Sequence, residues 1–113
     1  MATFQKFTDI EAWQDARKLT FEIYAASNRA PFSRDFRLQG QIRDASVSIM
    51  SNIAEGFGRS GTGEFIQFPS IAKGSAAEVV SQLYVALDQK YTRRKSLSDY
   101  VFLQPTSVAR WVR

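Results

Sequence analysis

No cysteine and no histidine occur among the 113 residues. Without cysteine there is no disulfide framework and no thiol chemistry. Without histidine the commonest general base and the commonest transition-metal ligand are both missing. The paired Glu-x-x-His motif of di-iron bundles therefore cannot be assembled. No apolar run approaches the roughly 20 residues of a membrane span. Residues 1–7 lack a signal-peptide pattern, so a cytoplasmic location is expected. Strand-like alternation of useful length, internal repeats and low-complexity tracts are all lacking. An enzyme would have to run on carboxylates, lysines, tyrosines or serines, and no nucleophile–base constellation is visible. The expectation is a non-enzymatic protein without cofactor or metal.

The composition that remains is that of one globular domain over residues 1–113, with 44% hydrophobic residues. Helical periodicity dominates it. Thr8, followed by Glu11, reads as a capping box. It opens a first helix over about 8–27, with Ile10, Trp13, Ala16, Thr20 and Ile23 as its stripe. Pro31 marks a connector. Ser33 or Asp35 then opens a second helix over about 34–55, whose core stripe is Leu38, Ile42, Ala45, Ile49 and Ile53. Gly56 and Gly58 are expected to stop it. A third helix spans about 62–90, with Phe65, Phe68, Ala72, Ala76, Val79, Leu83 and Leu87 apolar. Pro69 predicts a kink there, or a separate first turn. Ser96 and Asp99 suggest a weaker cap for a fourth helix over about 97–112, which Pro105 should bend or break. Four helices with short connections predict an all-α, antiparallel up-and-down four-helix bundle.

Beside the apolar stripes run two polar lines. Gln41, Ser48, Asn52 and Glu55 flank the second, and Ser75, Glu78 and Gln82 flank the third. Each line is either a solvated helix edge or a hydrogen-bonded seam that sets register or oligomer state. The stretch Gly56-Phe-Gly-Arg-Ser-Gly61 formally matches G-x-G-x-x-G. It follows a helix instead of a strand, so its dinucleotide-binding context is missing; a turn is the simpler reading, with a modest anion site at Arg59 as the alternative. Glu55, Glu64 and Glu78 would have to converge to hold a metal, and pairing with arginines is the simpler use. Trp13, Trp111 and the nine phenylalanines read as core, with some as intersubunit anchors.

Charge is concentrated at one end. Lys90, Arg93, Arg94, Lys95, Arg110 and Arg113 face only Asp99 within residues 90–113, whereas residues 1–89 carry nine cations and ten carboxylates. A basic end of this kind either solubilises a helix surface or contacts phosphate backbones.

Several segments together resemble a known family. They are Phe7 with Ile10-Glu-Ala-Trp13, Leu38 through Ile49, Ser51-Asn-Ile-Ala-Glu-Gly56, Glu64-Phe65, and Ile71-Ala-Lys-Gly-Ser75 with Glu78. This pattern is similar to that of the bacterial four-helix-bundle proteins encoded by intervening sequences in 23S ribosomal RNA genes, a family also labelled ribosomal-protein-like. The resemblance covers roughly Phe7 to Tyr91. It implies an antiparallel bundle assembling as a homopentameric ring, an architecture shared with the accessory variability proteins of diversity-generating retroelements. Those accessory proteins are thought to bind nucleic acid and reverse transcriptase through a basic surface. Pro69 departs from the family pattern, and residues 95–113 match its fourth helix poorly. Two functions follow as expectations. One is a nucleic-acid-associated accessory protein, using Lys90, Arg93, Arg94 and Lys95 with Arg110 and Arg113, on RNA or DNA. The other is a homo-oligomeric scaffold for a protein partner, with the polar lines serving assembly.

Overall fold

The computed structural model describes residues 6–60 and 70–102. Every regular element among them is helical. A 3-10 turn, Phe7–Asp9, leads into α1, Glu11–Ser27. A second 3-10 turn, Phe32–Arg34, leads into α2, Phe36–Ser60. Then come α3, Ser70–Asp88, and α4, Arg94–Phe102.

The first helix starts three residues later than its capping-box pattern predicts. Thr8 belongs to the 3-10 turn, and Ile10, extended at ψ 122°, sits at the N-cap without a side-chain cap bond. Ile10 is buried in the core, and that burial fixes where the chain turns into the helix. Trp13 packs edge-on to Phe7 with ring centroids 5.3 Å apart. Along α1 the core face is Ala12, Ala16, Leu19, Ile23 and Ala26, while Trp13 and Thr20 lie on its flank.

Asp35, of the two predicted candidates, opens α2. Its Oδ1 accepts the Leu38 N–H at 3.1 Å, satisfying one of the orphan donors of the first turn. Leu38, Ile42, Ala45, Ile49 and Ile53 are all buried, as their period requires. The predicted stop at Gly56 is corrected: α2 runs through both glycines to Ser60. Phe57, packed against the core between them, supplies the burial that carries the helix past a pair of poor helix formers.

The described part of α3 begins at Ser70, directly after Pro69. The predicted start at 62, with Phe65 and Phe68, lies outside the described residues. The helix ends at Asp88, short of the predicted 90, in a Schellman motif. Tyr91 N–H bonds the Ala86 carbonyl at 2.8 Å and Lys90 N–H the Leu87 carbonyl at 2.9 Å. Lys90 occupies the left-handed position, φ 62°. The fourth helix begins at Arg94 in place of 97, so Ser96 is inside it and does not cap it. Residues 103–113, with Pro105, Trp111, Arg110 and Arg113, lie outside the described residues.

Side-chain contacts fix the antiparallel order. Thr20 Oγ1 donates to the Ala16 carbonyl at 2.8 Å and approaches the Ser46 carbonyl at 3.2 Å. Ser27, further along α1, meets Gln39 and Arg43, earlier along α2. Ser75 of α3 meets Ser48 of α2, and Tyr91 after α3 meets Asp35 before α2. Tyr100 of α4 is buried, with Glu22 of α1 nearby. One hydrophobic cluster draws residues from all four helices. Burying a side chain such as Leu19 or Ile49 in it stabilises the fold by about 1.5–3 kcal/mol each. No helix among the described residues is long and apolar enough to cross a membrane.

Candidate nucleic-acid interface

In an up-and-down bundle the first and third connectors share one end. Here they are joined. Phe32, buried in the first connector, stacks on Tyr91 of the third with centroids 5.0 Å apart and an interplanar angle of 22°. The Tyr91 hydroxyl donates to Asp35 Oδ2 at 3.0 Å. That bond to a carboxylate, aided by desolvation and the Asp35 charge, holds the Tyr91 hydroxyl above the ordinary tyrosine range. Both Asp35 oxygens are thus engaged in the fold, one at the α2 cap and one at Tyr91.

Around this junction stand Arg29, Arg34 and Arg37 from the α1–α2 side and Lys90, Arg93, Arg94 and Lys95 from the α3–α4 side. All seven side chains are exposed, against Asp35, the exposed Asp88, and Glu22 and Asp99, which share the surroundings of Tyr100 with Arg29. The four predicted cations within the described residues are therefore brought together. Arg29, Arg34 and Arg37 were missed because a count along the chain assigns them to a segment of nearly balanced charge. The bundle topology was the available signal.

The placement of these cations runs partly against local helix electrostatics. Neither α2 nor α4 has an acidic residue in its first turn, where the macrodipole favours one. Arg37 instead occupies the first turn of α2, and Arg94 and Lys95 that of α4. Only Arg29 and Lys90, just past the C-termini of α1 and α3, have the sign that the dipole favours.

The polar line is a seam in its middle, half-buried at Gln82 and exposed at Gln41, Glu55 and Glu78. Ser75, buried, donates from Oγ to Ser48 Oγ at 2.9 Å across α2 and α3. Asn52 Nδ2 donates to the Ser48 carbonyl at 2.8 Å and to Ser48 Oγ at 3.1 Å. Gln82 is half-buried, and its Oε1 has no hydrogen-bond partner in the structure. Gln41, Glu55 and Glu78 are exposed.

A second polar junction, not anticipated from the sequence, joins α1 to α2. Arg43 Nε donates to Ser27 Oγ at 2.8 Å, and Gln39 Nε2 donates to the Ser27 carbonyl at 2.8 Å. Ser27 is fully buried and donates to the Ile23 carbonyl at 2.7 Å. Among the described residues, no group of three or more carboxylates is placed to hold a metal ion. Arg59 lies on α2, and Glu64 falls outside the described residues.

The chain matches no curated protein and no solved structure. Residues 8–102, a span reaching from the first 3-10 turn to the end of α4, match the model of the 23S rRNA-intervening sequence protein family, and the chain belongs to that family.

Proposed function

We propose that this chain is a non-enzymatic helical-bundle protein that binds nucleic-acid backbones through the basic end of the bundle. The observation that carries the reading is the convergence of Arg29, Arg34 and Arg37 with Lys90, Arg93, Arg94 and Lys95, all exposed, around a junction whose central carboxylate is engaged in the fold. Cations held at helix N-termini work against the macrodipole, which argues for a use other than stability. Such a surface binds phosphates with little sequence preference and a steep salt dependence. The ligand is RNA or DNA, and the place of action is the cytoplasm.

The test is fluorescence anisotropy of a structured RNA and a DNA duplex at about 50 and about 200 mM salt, the range over which phosphate contacts reveal themselves. Replacing Arg34, Arg37, Arg93 and Arg94 together by glutamine should lower the magnitude of the log–log salt slope by about 3–4. An unchanged slope, or no binding at the lower salt, refutes the reading.

A second reading, a homo-oligomeric scaffold such as a pentameric ring, is favoured by the outer face of α3. Ile71, Tyr84 and Val85 are exposed there. Gly74, on the same face, is a helical glycine at which an added Cβ would meet nothing. The partly buried Asn52 and Gln82 would serve the same assembly. Sedimentation of the wild type and Tyr84→Glu decides it: a monomeric wild type removes this reading.

A further inference from the structure

The outer face shared by α1 and α2 combines aromatic rings with arginines. On α1, Arg17 lies over the Trp13 ring, its Cζ 5.9 Å from the centroid. Arg43 of α2 lies over the Tyr24 ring of α1, its Cζ 4.5 Å from the centroid. Its Nε bond to the buried Ser27 hydroxyl holds that guanidinium in place. Between the two pairs, one turn after Arg17, stands Phe21, 72% exposed. A solvated phenylalanine in the middle of a helix gains nothing for the isolated fold.

Of the carboxylates of both helices, Glu22 alone borders this face, sharing a concavity with Trp13, Arg17 and Phe21. Glu22 and Lys18 also line a cleft with Asp99 and Tyr100 of α4. Glu11 and Asp15 share the helical phase of Glu22, and Asp44 and Glu55 share the α3-ward phase of Ser48. The exposed part of the face therefore offers planar stacking surfaces with Arg17, Lys18 and Arg43 against the single carboxylate of Glu22. From Trp13 to Tyr24 it extends about 16 Å along the helix.

We propose that this face is a stacking site for single-stranded nucleic acid. Phe21 and the arginine-backed Trp13 and Tyr24 rings receive unpaired bases, and Arg17 and Arg43 receive the adjoining phosphates. A second copy docked here about a two-fold axis would set arginine against arginine, so charge complementarity favours a polyanion with flat faces. This inference deepens the nucleic-acid reading above by adding a strand-selective contact remote from the basic end.

The test uses the full chain and anisotropy of one labelled single-stranded RNA and the corresponding duplex at about 50 mM salt. Phe21→Ala, at a solvent-exposed position, is expected to weaken single-strand binding about ten-fold and leave duplex binding unchanged. Phe21→Trp is expected to restore it, and Arg17→Gln to weaken it with a reduced salt slope. Equal effects on both nucleic acids, or none, overturn the stacking site. The basic-end reading then stands if the four-glutamine variant still flattens the salt slope. If that variant changes nothing while Phe21→Ala selectively weakens single-strand binding, the stacking site stands and the basic-end reading falls. No binding of either probe defeats both. A Phe21→Ala protein that sediments as a smaller species with unaltered single-strand binding identifies the face as a subunit contact and overturns the inference.

Discussion

Lys90 holds φ at 62°, a region that L-residues enter at a cost of roughly 1–2 kcal/mol because Cβ approaches the following carbonyl. The two Schellman hydrogen bonds, Tyr91 N–H to Ala86 and Lys90 N–H to Leu87, require that conformation. Glycine would adopt it freely, at the expense of about 0.5–1 kcal/mol of additional chain entropy in the unfolded state. Lys90→Gly should therefore stabilise the fold by about 0.5–1 kcal/mol, raising Tm by roughly 2–5 °C for a domain of this size. Lys90→Ala separates geometry from charge: it removes the ammonium and keeps the Cβ, so its stability should stay within about 0.5 kcal/mol of wild type. Urea and thermal unfolding followed by circular dichroism measure both. In the binding assay the two variants should behave alike, each reducing the salt slope by about one. A Lys90→Gly protein no more stable than Lys90→Ala would refute the account of this turn.

Other contacts make separate predictions. Ser27→Ala leaves Arg43 Nε without its 2.8 Å acceptor and should cost about 1–3 kcal/mol in urea unfolding; a change below about 0.5 kcal/mol would show that water replaces the hydroxyl. Because the Tyr91 hydroxyl is held above its ordinary value of 10.0, the folded state keeps a proton that the unfolded chain releases first. That contribution is complete below pH 10 and is lost as pH rises through the folded value. Tyr91→Phe should accordingly show a shallower loss of stability above pH 10 in alkaline titration of Tm. Gly74→Ala, where a Cβ meets nothing within the chain, should stabilise an isolated bundle by about 0.8–1 kcal/mol; a lower Tm would indicate that another surface approaches this helix.

How far the fold was legible depended on what each residue signalled. Leu38, Ile42, Ala45, Ile49 and Ile53 repeat at a period that only a helix buries on one side, and all five are buried. The ends of the helices were less visible. Thr8 and Glu11 have the residue types of a capping box, but burial of Ile10 overrides them. Gly56 and Gly58 have the types of a stop, but Phe57 carries α2 onward. Of the polar line, Ser48, Asn52 and Ser75 form the seam that their phase suggested, whereas Gln41, Glu55 and Glu78, on nearly the same phase, are exposed. Phase alone does not say how closely the neighbouring helix approaches. The pairing of Arg43 with Tyr24 and Ser27 was illegible for another reason: it joins positions 16 and 19 residues apart, and its register depends on the connector geometry. Tyr91 with Asp35, separated by 56 positions, is of longer range still, and with the Phe32–Tyr91 stack it joins the two halves of the basic end.

The same contact exposes a conflict between stability and the proposed binding. Arg37 lies in the first turn of α2, where the free N–H groups and the macrodipole favour a carboxylate. Replacing it by glutamate reverses an unfavourable charge at a position that is exposed, so packing is left intact. Arg37→Glu should stabilise the fold by about 1 kcal/mol at low salt, with the gain shrinking at high salt as the charges are screened. Nucleic-acid binding should weaken in the same protein, since a cation of the basic end has become an anion. A structural role for Arg37 predicts the opposite for stability, and a merely solubilising role predicts no change in binding. Unfolding and anisotropy on one preparation distinguish the three. Higher stability with weaker binding would mean that the chain maintains an electrostatically costly helix end for its ligand; lower stability, or unchanged affinity, would remove Arg37 from the interface.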